Sequence, residues 1–389
     1  MTFGFLSYDL GYQIDTTLCQ VQALTRHALK VFPVVYNKWQ TNSVMPHLPA
    51  SASGRHIGSS VPGSTAEAFI SNVNWRAAWV CARDSDVVVL WGLQAATALL
   101  CFLCAKARGK VIIAVSQTVP LQIERQRRWW IRLLKTFILR GCNLHIYQTP
   151  ATKKVLSELY CVAERDLMSA PYSGGRSSFQ RYYSGLSKTR AEIRAELELG
   201  GDVTYLYVGN LIPFKGIEDL LRACAQLPNK IPYRCVIVGR ALQSPKLGDT
   251  AKYFSNVAAS LGLSTHVTFV CEQPADRIAE IYLASDVLIL PTHRDTFGKV
   301  LVEAALAGKP LITTDASGAA GVVVRENENG FIVRHGDVTQ LAERMCVLAD
   351  FETREQMGRR SKEIIDQVCT QEGEIGGLLS ALERAGTLV

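Results

Sequence analysis

Short, β-rich apolar runs alternate with longer helical stretches along this chain, and this alternation constrains the fold more than any other feature. One set contains FGFLSY, VFPVVY, DVVVLWG, KVIIAVS and LHIYQT, and a second set contains VTYLYVG, RCVIVG, VTFV, DVLILP and PLITT. Strands that are apolar throughout and separated by helices are typical of parallel sheets with both faces covered. Two sets therefore predict two α/β domains, each with a doubly wound parallel sheet.

The polar passage YSGGRSSFQRYYSGLSKTR separates the two sets and is predicted to be the linker, around residues 173–190. We place an N-terminal domain at 1–185 and a C-terminal domain at 186–372, and we expect a C-terminal helix at 373–389 to pack back on the first domain. A chain of 389 residues with 48% hydrophobic residues can build two cores. Because such sheets bind ligands beyond the carboxyl ends of their strands, we expect the site in a cleft between the domains.

Composition and the N-terminal sequence favour a cytosolic chain. The start, MTFGFLSYDLG, has no basic region and no cleavage signal, and it is predicted to be a strand. The eleven cysteines lie mostly in apolar segments, which makes a disulfide framework improbable. The longest apolar run, near residues 95–105, ends at Lys106 and is too short to span a bilayer. A net charge of +7 indicates an anionic partner, which composition alone leaves open between nucleotide, membrane and nucleic acid.

The segment VGNLIPFKGIEDLL contains the first candidate binding residue. A predicted strand ends at Val208 and is followed by Gly209, a short loop, Lys215 and a helix. This order places Lys215 at the carboxyl edge of the sheet, where a mobile ammonium group suits phosphate. A solvated loop lysine beside a turn glycine is the alternative.

The segment THRDTFGKVLVEAALAGKPLITT contains two more candidates, Asp295 and Glu303. A turn at Gly298 allows the backbone to approach a ligand closely, and the helix from Lys299 presents amide groups to an anion. The carboxylate of Glu303 can accept two hydrogen bonds, which suits the adjacent hydroxyls of a ribose, and Asp295 can bind hydroxyls of a sugar. Alternatively, Glu303 interacts with the helix dipole and Asp295 caps the turn, which explains each acid singly but not their conjunction with Lys215.

These segments resemble the family 4 retaining glycosyltransferases of the bacterial polysaccharide type. The resemblance runs from about residue 203 to 337 and is carried by YLYVGNLIPFKGIEDLLRA, CVIVGR, LGLSTHVTFV, DVLILPTHRDTFGKVLVEAALAGKPLITTDASG and NGFIVRHGD. It implies the GT-B fold, in which two Rossmann-like domains face each other across a cleft. It also implies metal-independent transfer of a hexose from a nucleoside diphosphate sugar, with UDP-hexose favoured, to a glycan acceptor in polysaccharide biosynthesis; that the acceptor is lipid-linked is our expectation from the basic helix described below.

By position, the resemblance makes Glu303 the ribose ligand, Asp295 a ligand of the donor sugar and Lys215 a clamp on the diphosphate, and these three are the predicted catalytic residues. The other implied donor-binding positions are Gly11, for which a plain turn glycine is the alternative, and Gly209, Asn210, Thr296, Phe297, Gly298, Lys299 and Val300. On the acceptor side we predict weak roles for Asp15, for which a helix cap is the alternative, and for Gln117.

Two positions depart from the pattern of that family. Asp295 stands where glutamate is usual, and Asn210 stands where an arginine usually binds phosphate and offers no bidentate cation. They leave open a second hypothesis, a catalytically silent nucleotide-sugar-binding subunit of a glycan assembly complex. A nicotinamide oxidoreductase is disfavoured, because the first strand is followed by DLGYQI and not by a G-x-G-x-x-G turn.

The segment QIERQRRWWIRLLKTFILRG is predicted to be an amphipathic helix. One face carries Ile123, Trp130, Leu133, Leu134 and Phe137, and it is expected to pack on the N-terminal sheet. The opposite face carries Arg125, Arg128, Arg132 and Lys135, with Trp129 at the border. This basic face is either solvated or docked on anionic lipid. The second interpretation predicts a cytoplasmic protein, peripheral on the inner face of the plasma membrane, with no nucleic-acid partner.

Overall fold

The computed structural model describes residues 1–7, 21, 23–25, 28–33, 75–91, 96–116 and 129–389. The chain forms two compact units. Unit 1 contains residues 1–171 and 372–389, and unit 2 contains residues 172–371. Each unit is built on a six-stranded sheet whose strands pair in parallel, which confirms the predicted α/β class with two parallel-sheet domains.

The sheet of unit 1 has the strand order β2-β1-β3-β4-β5-β6. Its strands are β1 (Thr2–Ser7), β2 (Ala28–Pro33), β3 (Val87–Trp91), β4 (Val111–Ser116), β5 (Leu144–Tyr147) and β6 (Leu167–Ser169). The described helices that precede unit 2 are α1 (Trp75–Asp84), α2 (Ala96–Ala107), α3 (Trp129–Gly141) and α4 (Pro150–Lys154), the last of which continues into a π-helical turn at Val155–Leu159. Every residue of β3 and β4 is buried, as expected for central strands covered on both faces.

The sheet of unit 2 has the order β11-β8-β7-β12-β13-β14. Its strands are β7 (Val203–Val208), β8 (Tyr233–Val238), β11 (Val267–Val270), β12 (Val287–Leu290), β13 (Leu311–Thr314) and β14 (Gly330–Val333); a separate ribbon pairs β9 (Gln243–Ser244) with β10 (Gly248–Asp249). The helices are α5 (Arg176–Ser184), α6 (Arg190–Glu196), α7 (Ile217–Cys224), α8 (Thr250–Ser260), α9 (Ala275–Ala284), α10 (Lys299–Leu306), α11 (Val338–Val347) and α12 (Phe351–Gln367). Their apolar residues form one continuous core with the sheet.

The two units meet in the sequence after Pro171, earlier than the predicted boundary at 185. Much of the passage predicted to be a linker is folded, because it contains α5 and the capping box of α6 at Thr189. Gly174 packs so closely that a Cβ there would lie 2.7 Å from Cγ2 of Val302. This passage is mostly polar, but it contains aromatic residues at helical spacing. Among them, Phe179 and Tyr183 pack on the core of unit 2.

The last helix, α13 (Gln371–Gly386), packs on the sheet of unit 1. It buries Leu378, Ala381, Leu382 and Ala385 against the face of the sheet that carries Val87, Val89 and Ile113. Gly377 permits the close approach, since a Cβ there would lie 2.2 Å from the carbonyl oxygen of Ser169.

Candidate functional site

A glycine turn brings Lys215 and Asp295 together at the carboxyl edge of the sheet of unit 2. Gly216 has a φ of 74°, and a Cβ at this position would lie 1.8 Å from the carbonyl oxygen of Pro291. Only glycine lets the turn at Pro213–Lys215 lie against the segment that follows β12. Lys215 Nζ then donates to Asp295 Oδ2 over 2.5 Å. Two candidate residues from different segments therefore form an ion pair.

The main chain around Asp295 is fixed by hydrogen bonds to the loop that follows β13. The Asp295 amide donates to the carbonyl oxygen of Ala316, and its own carbonyl oxygen accepts from the Gly318 amide, both over 3.1 Å. Oδ1 of the side chain accepts from the Phe297 amide over 3.3 Å. The carboxylate is therefore held in place by its surroundings, and its cationic partner is the group that was predicted to bind phosphate.

Helix α10 begins immediately after Gly298, as the sequence predicts. Gly298 has a φ of 92° and no side chain to cap the helix, and a Cβ there would lie 2.8 Å from Cδ2 of Leu290. The amides of the first turn of a helix have no partner within the helix and can donate to an anion. Beside this turn, Phe297 is buried, and its ring meets the Tyr172 ring edge-on at 4.9 Å between centroids. Thr296 and Val300 are half-buried, and Lys299 is exposed.

Glu303 lies one turn further along α10 and is held by two tyrosines. Tyr282 donates from its hydroxyl to Glu303 Oε2 over 2.8 Å, and Tyr183 donates to the Glu303 carbonyl oxygen, also over 2.8 Å. Burial raises the pKa of Glu303 to about 7, although the Tyr282 hydrogen bond and the charge of Lys299 both act to lower it. The carboxyl group predicted to bind ribose therefore holds a proton to a higher pH than an exposed glutamate does.

Asn210 lies at the same edge of the sheet, but its side chain is uncharged and cannot act as a cation. The side chain of Asn210 is exposed, and its backbone carbonyl oxygen accepts a hydrogen bond from the Tyr207 hydroxyl over 3.0 Å. Gly209 and Gly239 make the loops after β7 and β8 touch, since a Cβ on Gly239 would lie 1.8 Å from the Gly209 carbonyl oxygen. Contacts between backbone atoms therefore set the positions of the residues in these two loops.

Sequence reasoning missed four residues of this region. Two are cations, Arg240 after β8 and Arg294, whose guanidinium lies 4.5 Å from the centre of the Phe214 ring. The others are the tyrosines that hold Glu303, Tyr282 and Tyr183. Arg294 directly precedes Asp295 in the segment THRDTFGKVLVEAALAGKPLITT and could have been predicted from it. The two tyrosines lie in other helices, and nothing in their local sequence points to Glu303.

Several predicted residues lie outside the described part of the chain: Gly11, Asp15, Gln117, Arg125 and Arg128. Over the described ranges, no group of histidine, cysteine, aspartate and glutamate side chains is arranged to hold a metal ion. Within those same ranges, no helix has both the length and the apolar character needed to cross a membrane.

The predicted orientation of helix α3 is wrong at several positions. Leu133 and Phe137 were expected to pack inward, yet their side chains are 58% and 56% exposed. Lys135 was placed on the solvent face, yet it is half-buried, and burial lowers its pKa. The helix instead turns Ile138 and Leu139 into the core of unit 1, with Leu134 packed beside them. The outer face consequently carries Trp129, Arg132, Leu133 and Phe137.

Comparison with known proteins finds a family that the C-terminal unit resembles. Residues 189–364 match the family model described as glycosyl transferases group 1. This range contains Lys215, Asp295 and Glu303, and the match confirms the predicted resemblance to family 4 glycosyltransferases.

A curated relative is D-inositol 3-phosphate glycosyltransferase from Nocardia farcinica, which is 32% identical over 233 residues. The match covers 58% of this chain and 49% of the relative, so that the chain spans about half the length of the curated relative it matches.

Solved structures resemble the whole chain. Sucrose-phosphate synthase from Thermosynechococcus elongatus has a TM-score of 0.77 at 18% identity and is covered, like this chain, over its full length. HepE from Anabaena, solved in complex with UDP-glucose, has a TM-score of 0.71 at 16% identity, with 99% of this chain and 100% of HepE covered. These likenesses show the fold, and it is the predicted GT-B class.

Proposed function

We propose that this protein is a retaining glycosyltransferase that transfers a hexose from a nucleoside diphosphate sugar, with UDP-hexose favoured, to a glycan acceptor. The observation that carries this proposal is the arrangement of Lys215, Asp295 and Glu303 around the start of α10. A cation for the diphosphate, an acid for the sugar and an acid for the ribose all lie at one sheet edge of a glycosyl transferases group 1 domain. The similar structure of HepE contains UDP-glucose, which supports the choice of donor.

In the proposed reaction the acceptor hydroxyl attacks the anomeric carbon from the face that the diphosphate leaves. The bond from the anomeric carbon to the phosphate oxygen breaks, the new glycosidic bond forms, and the acceptor proton moves to an oxygen of the leaving diphosphate. The contribution of the protein is to orient the reactants and to stabilise negative charge on the leaving group. Lys215 and the amides at the start of α10 supply that stabilisation, and no step uses a metal or a cofactor.

The ion pair between Lys215 and Asp295 implies an exchange of partners when the donor binds. In the structure the ammonium group of Lys215 is paired with the carboxylate of Asp295. A bound diphosphate offers the ammonium group a stronger anion, and Asp295 is then available to accept hydrogen bonds from the sugar. Because one charged contact replaces another, neither group is left as an unpaired charge in a half-buried site.

A second candidate function is a nucleotide-sugar-binding subunit without turnover. It is favoured by the exposed amide of Asn210 at a position where the similar family has an arginine, and by the short side chain of Asp295. Formation of a glycosylated product separates the two functions, because nucleotide-sugar binding is common to both.

The proposed donor is tested by a panel of UDP-, GDP- and ADP-sugars in thermal unfolding. We expect a UDP-hexose at about a hundred times its dissociation constant to raise the free energy of unfolding by about 2.7 kcal/mol. The stabilising sugar is then supplied with lipid-linked glycans and, separately, with inositol 3-phosphate, the acceptor in the name of the curated relative. Stabilisation without product from any acceptor would favour the silent subunit, and absence of stabilisation by every sugar would contradict both functions.

We further propose that the acceptor is lipid-linked, as in polysaccharide biosynthesis, and that the protein reaches it as a peripheral protein on the inner face of the plasma membrane. The support is the outer face of α3, where Trp129 is 71% exposed and Leu133 and Phe137 are more than half exposed. Arg132 is exposed beside them. Aromatic and aliphatic side chains next to a cation suit the boundary of an anionic bilayer.

Exchange of Leu133 and Phe137 for serine is expected to abolish sedimentation with anionic liposomes, because both residues are more than half exposed. The Phe137 ring also meets the Phe102 ring edge-on at 5.6 Å between centroids, so thermal unfolding of the variant checks that the fold is retained. The matched control is Phe351→Ser, which removes a phenylalanine that is 63% exposed on α12 in the other unit. Salt should weaken binding of the wild type, since part of the attraction is electrostatic. A wild-type protein that stays in the supernatant with anionic liposomes at low salt would contradict membrane association.

A further inference from the structure

The carboxylate of Glu303 is held by a hydroxyl group from another helix. Tyr282 belongs to α9, and its hydroxyl donates to Glu303 Oε2 over 2.8 Å. We propose that Tyr282 is a positioning residue for the nucleotide ribose: its hydroxyl fixes the Glu303 carboxylate in the orientation that accepts hydrogen bonds from the ribose hydroxyls. This inference rests on the proposed function, and it gives Tyr282 a role that the proposed function does not include.

Tyr282 is placed rigidly enough to orient another side chain. It is completely buried in the core of unit 2, and the Phe179 ring lies across it at 6.1 Å between centroids. A ring confined in this way presents its hydroxyl at one point. A glutamate side chain is flexible and loses rotamer freedom when it is ordered, so that a fixed donor reduces the ordering that the ligand itself has to impose.

The hydrogen bond also leaves acceptor capacity on the carboxylate. Each carboxylate oxygen has two lone-pair positions, and Tyr282 takes one position of Oε2. Among the residues that the structure describes, none donates to Oε1 of Glu303. The group can therefore still accept from two neighbouring hydroxyls, as ribose recognition requires.

Tyr183 provides a contrast within the same site. It belongs to α5, and its hydroxyl donates to the Glu303 carbonyl oxygen and not to the carboxylate. The two tyrosines thus hold the backbone and the side chain of one residue through separate atoms. Loss of either hydroxyl removes one hydrogen bond next to Glu303, but only the loss at Tyr282 changes what its carboxylate contacts.

The contacts of Tyr282 and Tyr183 with Glu303 can be distinguished by their effect on the pKa of the Glu303 carboxyl. The groups that act on the Glu303 carboxyl are Lys299, one turn earlier on α10, and Tyr282 from α9, with the Tyr183 hydroxyl close by on α5. Burial raises the pKa of Glu303 to about 7, and the Tyr282 hydrogen bond favours the ionised form. Without that hydroxyl the pKa rises further, and at neutral pH less of the acceptor-only carboxylate is present to bind ribose.

The test is UDP affinity measured by isothermal titration calorimetry between about pH 5.5 and about pH 9 in wild type, Tyr282→Phe and Tyr183→Phe. In the wild type we expect affinity to fall about tenfold per pH unit once the pH is below the pKa of Glu303, which is about 7. In Tyr282→Phe the midpoint should move up by about one pH unit or more, because a hydrogen bond to a charged group is lost. In Tyr183→Phe the midpoint should stay that of the wild type.

A Tyr282→Phe midpoint equal to that of the wild type would overturn the inference, even if binding were weaker at every pH, since uniform weakening is what a purely structural change produces. A second measurement needs no tyrosine variant. In wild-type protein labelled with carbon-13 at the tyrosine ring, the Tyr282 signal should titrate with Glu303, and this titration should vanish in Glu303→Gln. A Tyr282 signal that does not respond to Glu303 would also overturn it.

Failure of the proposed function has a different signature. If the wild type binds no nucleoside diphosphate at any pH, the glycosyltransferase proposal fails, and the role of Tyr282 in ribose binding fails with it. If UDP binds and only the Tyr282→Phe midpoint is unchanged, the proposed function stands and the positioning role alone is wrong.

Discussion

Replacing Lys215 by alanine is expected to lower kcat by about a hundredfold to a thousandfold, with a smaller change in KM. Charge on the leaving diphosphate grows toward the transition state, and the loss of one such donor typically has an effect of that size. The structure supports the role, because the ammonium group is held at the sheet edge by Asp295. Steady-state kinetics with the UDP-hexose found in the donor panel gives both constants.

The control for this variant is Arg222→Ala, which removes an exposed cation from α7 of the same unit. Its kcat should stay within about twofold of the wild type, since an exposed ion pair contributes little. Thermal unfolding of Lys215→Ala separates a kinetic effect from a loss of fold. An unchanged kcat with a raised KM would mean that Lys215 binds ground state and transition state equally, and its catalytic role would be wrong.

Glu303→Gln is expected to weaken nucleoside diphosphate binding by about tenfold or more at pH 8. The amide replaces an acceptor-only group with one that also carries hydrogen-bond donors, and a hydrogen bond to a charged group is worth about 1.5 to 3 kcal/mol. The variant should also lose the part of the pH dependence of binding that Glu303 contributes. In the wild type we expect the ionised form to bind, so that affinity should rise with pH through the pKa of Glu303, about 7.

The same substitution makes a prediction for stability. The folded-state pKa of Glu303 is raised from 4.5 to about 7, so that between these values the folded protein binds a proton that the unfolded chain does not. The free energy of unfolding therefore falls as pH rises through this window, and Glu303→Gln should lack this contribution. Urea unfolding at pH 5 and pH 8 measures it, with Glu343→Gln on the exposed side of α11 as the control. Equal pH dependence in wild type and Glu303→Gln would contradict the raised pKa.

Local sequence was enough to predict the main elements of the described sheets. Runs such as VTYLYVG and DVLILP are predominantly apolar, and their strands are buried at every position except Val208, as expected for strands covered on both faces of a sheet. Helix α10 could also be predicted from the local sequence, since Gly298 precedes an apolar segment. Two edge strands were missed: β6 has three residues with only the first buried, and β14 begins at a glycine.

By itself, then, the sequence determined the two parallel-sheet domains and the residue types gathered around α10, because both follow from patterns a few residues long. Tertiary structure decided which groups meet. The contact of Gly216 with Pro291 brings Lys215 to Asp295, and the hydroxyl of Tyr282 reaches Glu303 from another helix. It also decided that Leu133 and Phe137 of α3 face outward, because a helical wheel shows which side chains share a face but not which face the neighbouring sheet covers. These outcomes depend on contacts between segments far apart in the chain, and no local pattern specifies them.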